Sequence, residues 1–85
     1  MKRSNDERRR LVALGRAVRK LRIERKMSTC AVATASGLSR SRITSLEAGR
    51  ADPRLDMLHD LARGLGIQVH ELVARAEHEE KGGGA

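Results

Sequence analysis

The chain has 85 residues, a net charge of +7, 34% charged residues and no aromatic residue. Such a chain builds one small core of Leu, Val, Ile, Met and Ala; a two-domain enzyme is excluded, and no separate sensor or oligomerisation domain is expected. The single cysteine, Cys30, excludes an internal disulfide framework and any cysteine-based zinc finger.

No apolar run approaches the ~18 residues of a membrane span. The charged first ten residues lead into no apolar segment of the kind a secretory signal needs, so the expected compartment is the cytoplasm. Charge is distributed unevenly. Residues 1–26 carry +8, residues 37–54 carry +2 and residues 55–85 carry −3. A basic first half and an acidic end point to a polyanion bound on one side, nucleic acid first and an anionic membrane second.

In chain order, Ser4-Asn5-Asp6-Glu7 fits a capping box, which predicts a helix from about residue 6 to 25. Leu11, Leu14, Val18 and Leu21 share one stripe of that helix, and Arg22 and Arg25 fall in the same stripe. Residues 1–10 read as a mobile basic arm. Ser28 predicts the cap of a helix from Thr29 to Ser36, ended by Gly37. Ser39 predicts the cap of a third, from Arg40 to Ala48, ended by Gly49. A loop around Asp52-Pro53 follows. Leu55, Leu58, Leu61, Ala62 and Leu65 have the spacing of a fourth helix stopped by Gly66, and a fifth starts near Val69. Residues 77–85 read as an acidic, Gly-rich disordered tail, leaving residues 11–76 as the folded domain. The expected class is all-α, a bundle of five helices.

Only Gly37-Leu38-Ser39 separates the second and third helices. A short Gly-containing turn between two short helices is the mark of a helix-turn-helix. At about 100° per residue, Arg40, Ser41, Thr44 and Ser45 share one side of the third helix and Ile43 and Leu46 the other. One face is therefore apolar, while the other offers the donors and acceptors that base edges require.

The run Leu14 to Arg22, then Val32-Ala33 through Gly37-Leu38-Ser39-Arg40-Ser41, then Ile43 and Leu46-Glu47-Ala48-Gly49, resembles the lambda-repressor/Cro (XRE-like) family of helix-turn-helix regulators. Pro53, Leu55, Leu58, Leu61-Ala62, Leu65-Gly66-Ile67 and Glu71-Leu72 continue the resemblance. It implies a third helix entering the DNA major groove of a pseudo-palindromic operator, in a homodimer with reading helices roughly 34 Å apart. Arg40, Ser41, Thr44 and Ser45 are then the candidate base readers. Ser28, Thr29, Arg42, Arg50, Arg16, Arg19 and Lys20 are the candidate phosphate contacts. The family usually has Gln where this chain has Thr29, and Thr reaches less far. The resemblance also implies an ion pair between Arg22 and Glu47 that fixes how the reading helix is presented. Val69, Val73 and Ala76 are the candidate dimer surface.

Two other functions fit parts of the sequence. An antitoxin or restriction-modification controller would share this fold and bind a partner protein, a toxin for instance, with the acidic residues 77–81 as a candidate docking segment. A membrane-surface role for the basic first helix conflicts with the use of its apolar residues in a core. His59, His70 and His78 have no metal-ligand spacing, and no nucleophile elbow or phosphate-binding loop is present. Neither an enzyme nor a cofactor is expected, and Cys30 reads as an inert thiol.

Overall fold

A computed structural model describes residues 4–82. Five helices follow one another: α1 (Asn5–Glu24), α2 (Thr29–Ser36), α3 (Arg40–Glu47), α4 (Leu55–Leu65) and α5 (Val69–Glu80). Three begin at serines whose hydroxyls accept an otherwise orphaned amide: Ser4 from Glu7, Ser28 from Ala31 and Ser39 from Arg42. The turn between α2 and α3 closes on Gly37, whose φ of 71° is left-handed. The Leu38 N–H donates back to the Ala33 carbonyl at 3.0 Å, completing a Schellman-type stop.

The core gathers Val18 and Leu21 of α1, Val32 and Ala33 of α2, Ile43 and Leu46 of α3, Leu61, Ala62 and Leu65 of α4, and Leu72 of α5. The apolar stripe read from α1 is the stripe that faces this core, with Leu11 buried at its start and Leu14 packed at its margin. Without aromatic residues the helices approach closely. At Gly15, α1 crosses the end of α3, and a Cβ there would lie 2.7 Å from the Glu47 carbonyl oxygen. Ser36 is buried where α2 meets α4; its hydroxyl donates to the Val32 carbonyl, and its own carbonyl accepts from Arg63.

Both ends of the sequence reading need correction. Residues 5–10, read as part of a mobile arm, form the first turns of α1, because the Ser4 cap starts the helix ahead of them. Residues 77–80, read as disordered tail, complete α5. There the Glu79 side chain is buried and accepts a hydrogen bond from Lys20 Nζ at 2.8 Å, while Arg75 pairs with Glu24 at 2.6 Å. The acidic end of the chain is thus folded against its basic beginning. Met1–Arg3 and the residues from 83 onward lie outside the described residues, so the arm and tail readings for them are untouched.

The Lys20 ammonium, with help from His78 and Arg16, holds the Glu79 carboxyl below its ordinary pKa. A carboxylate whose pKa is lowered on folding adds stability above its unfolded pKa and loses it as pH falls through the folded value. Acidification through the carboxylate range should therefore weaken the hold of α5 on α1, while Leu72 keeps the helix in the core. Replacing Glu79 by Gln should lower the melting temperature at pH 7 and flatten its decline between pH 5 and 3, as followed by circular dichroism. An unchanged acid profile in that variant would show that the Lys20–Glu79 contact does not anchor α5.

Candidate nucleic-acid interface

α3 is held from three sides. Ile43 and Leu46 are fully buried and fix one face against α1, α2 and α4. The opposite face leaves Arg40, Ser41 and Thr44 exposed and Ser45 half-buried, so the four residues grouped by helical spacing do share a surface. The Thr44 hydroxyl donates to the Arg40 carbonyl at 3.0 Å, which commits its proton and leaves its oxygen free to accept. At the far end, Arg22 of α1 grips Glu47 with two hydrogen bonds of 2.7 and 3.1 Å.

A third bond from Arg22 reaches the Met27 carbonyl at 3.0 Å, tying the α1–α2 turn to the end of α3. The two side chains are 16% and 11% exposed, so water screens the pair little. The bond to Glu47 raises the Arg22 pKa further, and the guanidinium stays charged throughout.

Charge at this surface is left unspent. Arg9, Lys20, Arg22, Arg63 and Arg75 are paired with carboxylates. Arg40, Arg42 and Arg50 make no ion pair with any described residue, and all three are exposed. Arg42 and Arg50 line a depression of about 450 Å³ together with Ser39, Ser41, Ser45 and Asp52. Two candidate base readers, Ser41 and Ser45, and two candidate phosphate contacts, Arg42 and Arg50, therefore meet in one place. Ser28 and Thr29 sit at the start of α2, the Ser28 hydroxyl accepting from the Ala31 amide and Thr29 half-buried.

Two of the candidate phosphate contacts, Lys20 and Arg16, lie beside acids of α5. Lys20 points to Glu79 of α5, and Arg16 lines a groove with Glu79 and Glu80. Lys20 is thus engaged in helix packing, because an acidic partner distant in sequence folds back on it. Arg19 is exposed on α1. Cys30 is exposed in the first turn of α2. Among the described residues, no cluster of metal-ligating side chains occurs, and no helix is long and apolar enough to cross a membrane.

Sequence reasoning missed the Lys20–Glu79 and Glu24–Arg75 pairs, since nothing local signals contacts 59 and 51 residues apart. The lone glycine inside the α1 pattern, Gly15, was the available signal for the close crossing with α3.

A helix-turn-helix whose outer face is cationic and rich in hydroxyls, set in a five-helix all-α bundle, defines the lambda-repressor-like fold. A family model described as "Helix-turn-helix domain" matches residues 13–76, and the chain belongs to that family. The immunity repressor protein of Bacillus phage phi105 is 36% identical over 62 residues, 73% of this chain and 43% of that protein. The HTH-type transcriptional regulator DdrOP3 of Deinococcus deserti is 38% identical over 60 residues, 71% and 46% of the two chains. The chain thus spans less than half the length of these relatives.

Among solved structures, the clp gene regulator ClgR of Corynebacterium glutamicum superposes with a TM-score of 0.80 at 26% identity, covering 85% of this chain and 77% of that one. The restriction-modification controller protein C.AhdI of Aeromonas hydrophila gives a TM-score of 0.71 at 35% identity, over 73% of this chain and 94% of that one.

Proposed function

We propose that the protein is a sequence-specific, double-stranded DNA-binding transcriptional repressor that acts in the cytoplasm and reads the major groove with α3 as a homodimer. The observation that carries this reading is the outer face of α3. Arg40 and Arg42 on α3, and Arg50 in the loop that follows it, are exposed and make no ion pair with any described residue, beside Ser41 and Ser45, while Ile43 and Leu46 lock the opposite face. A cation without a partner on a rigid, hydroxyl-rich helix suits phosphate contact and base reading together. The repressor and regulator among the relatives support the same assignment. The controller function is the second reading, favoured by the 94% coverage of C.AhdI at 35% identity.

Fragments recovered from genomic DNA bound by the purified protein test the proposal. They should share a pseudo-palindromic site with half-sites about one helical turn apart. The affinity for that site should fall with salt, log Kd changing against log salt with a slope of magnitude about 5–9 for 6–10 neutralised phosphates per dimer. Neutralising Arg42 or Arg50 should each reduce that slope by about one. A slope near zero, or fragments with no common sequence, would remove the basis of the reading.

A further inference from the structure

Resting on the reading of α3 as the helix that enters the major groove, we propose that Thr44 reads the exocyclic amino group of an adenine or a cytosine. It thereby sets a choice of amino over keto base at one base pair of each half-site. The choice is built into the helix before DNA arrives. The Thr44 hydroxyl donates to the Arg40 carbonyl, one helical turn back, at 3.0 Å. Its single proton is used there, and what the side chain offers outward is an oxygen that only accepts. Thr44 is exposed, so that oxygen is open to a ligand.

An acceptor is matched only by a donor, and DNA offers few. Phosphate oxygens accept, as do guanine N7 and O6, adenine N7 and thymine O4. The donors of the major groove are the amino groups at adenine N6 and cytosine N4. Against any of the other groups, Thr44 would set one acceptor against another or give up its bond to Arg40. That bond also holds the side chain in one rotamer, since a β-branched residue in a helix has few to choose from.

The neighbouring hydroxyls differ. Those of Ser41 and Ser45 make no hydrogen bond with any described residue, so each donates or accepts as the facing group requires. Both line the depression that holds Arg42 and Arg50, whereas Arg40 and Thr44 stand on the strip of α3 beside it. On that strip Arg40 supplies donors alone and Thr44 an acceptor alone. They are one turn, about 5.4 Å, apart along the helix, and successive base pairs are about 3.4 Å apart, so the two residues meet different base pairs. Groups of fixed sense discriminate between bases where a free hydroxyl does not.

Binding selections on the wild type and two variants test the assignment. Thr44→Val keeps the shape and removes the acceptor, while Thr44→Ser keeps the hydroxyl and removes the methyl group. The wild type should favour adenine or cytosine over guanine or thymine at one position per half-site by about three- to tenfold, the worth of a single neutral hydrogen bond. That position should differ from the one altered by Arg40→Ala. Thr44→Val should lose the preference there and keep the others, and Thr44→Ser should retain it. Replacing the base at that position by its analogue without the exocyclic amino group should weaken the wild type by the same factor more than it weakens Thr44→Val. Circular dichroism melts of both variants control for folding.

A Thr44→Val variant that keeps every base preference of its parent overturns the assignment while leaving α3 as the reading helix. So does a preference for guanine or thymine at the position that this variant alters. Wild-type protein that selects no common sequence overturns the reading of α3 itself, and the role of Thr44 with it.

Discussion

Arg40→Ala is expected to fold as the parent does, to keep its salt-sensitive affinity for random DNA, and to lose about tenfold or more on its cognate site. Arg40 begins α3, immediately after the Ser39 cap, and is exposed with no ion pair to any described residue. An arginine so placed can fork onto guanine O6 and N7, a contact worth about 1–3 kcal/mol of discrimination against the wrong base. Its loss removes a readout and leaves the buried half of α3 untouched, because Ile43 and Leu46 hold that half. Binding selections on the two proteins should therefore show relaxed preference at one base pair per half-site. A uniform weakening on all sequences, with every preference intact, would make Arg40 a phosphate contact instead.

Gly15→Ala is expected to destabilise the fold by about 2 kcal/mol, a fall of roughly 8–16 °C in melting temperature for a domain of this size. Two effects oppose each other here. Alanine in a helix interior is worth up to about 1 kcal/mol over glycine, so an open site would gain stability. The added Cβ would instead overlap the Leu46 carbonyl and stand 2.7 Å from the carbonyl oxygen of Glu47, and neither backbone group can swing aside. The overlap wins. It would also push α1 from the end of α3, straining the Arg22–Glu47 grip that lies two turns further along α1. Thermal melts read the first effect, and affinity for the cognate site the second. A Gly15→Ala variant more stable than its parent would show that α1 and α3 do not cross as closely as described.

The local structure of this protein was legible because its signals are local. Serines at 4, 28 and 39 mark helix starts, and each hydroxyl reaches an amide only three residues away. Gly37 ends α2 where a left-handed residue is needed, and leucines at three- and four-residue spacing give α4 its buried side. From those features came the five helices, the turn between α2 and α3, and the division of α3 into a buried and an exposed face.

What the tertiary structure alone decided is where charge goes. Net charge by segment placed a basic first half and an acidic end along the chain, and read both as facing partners. Folding sets α5 against α1, so Glu79 meets Lys20 across 59 residues and Arg75 meets Glu24 across 51. Electrostatic attraction depends on distance in space and not on separation in sequence, so a linear count cannot tell a cation spent on packing from one left for a ligand. Lys20 is spent in this way, whereas Arg40, Arg42 and Arg50 make no ion pair with any described residue.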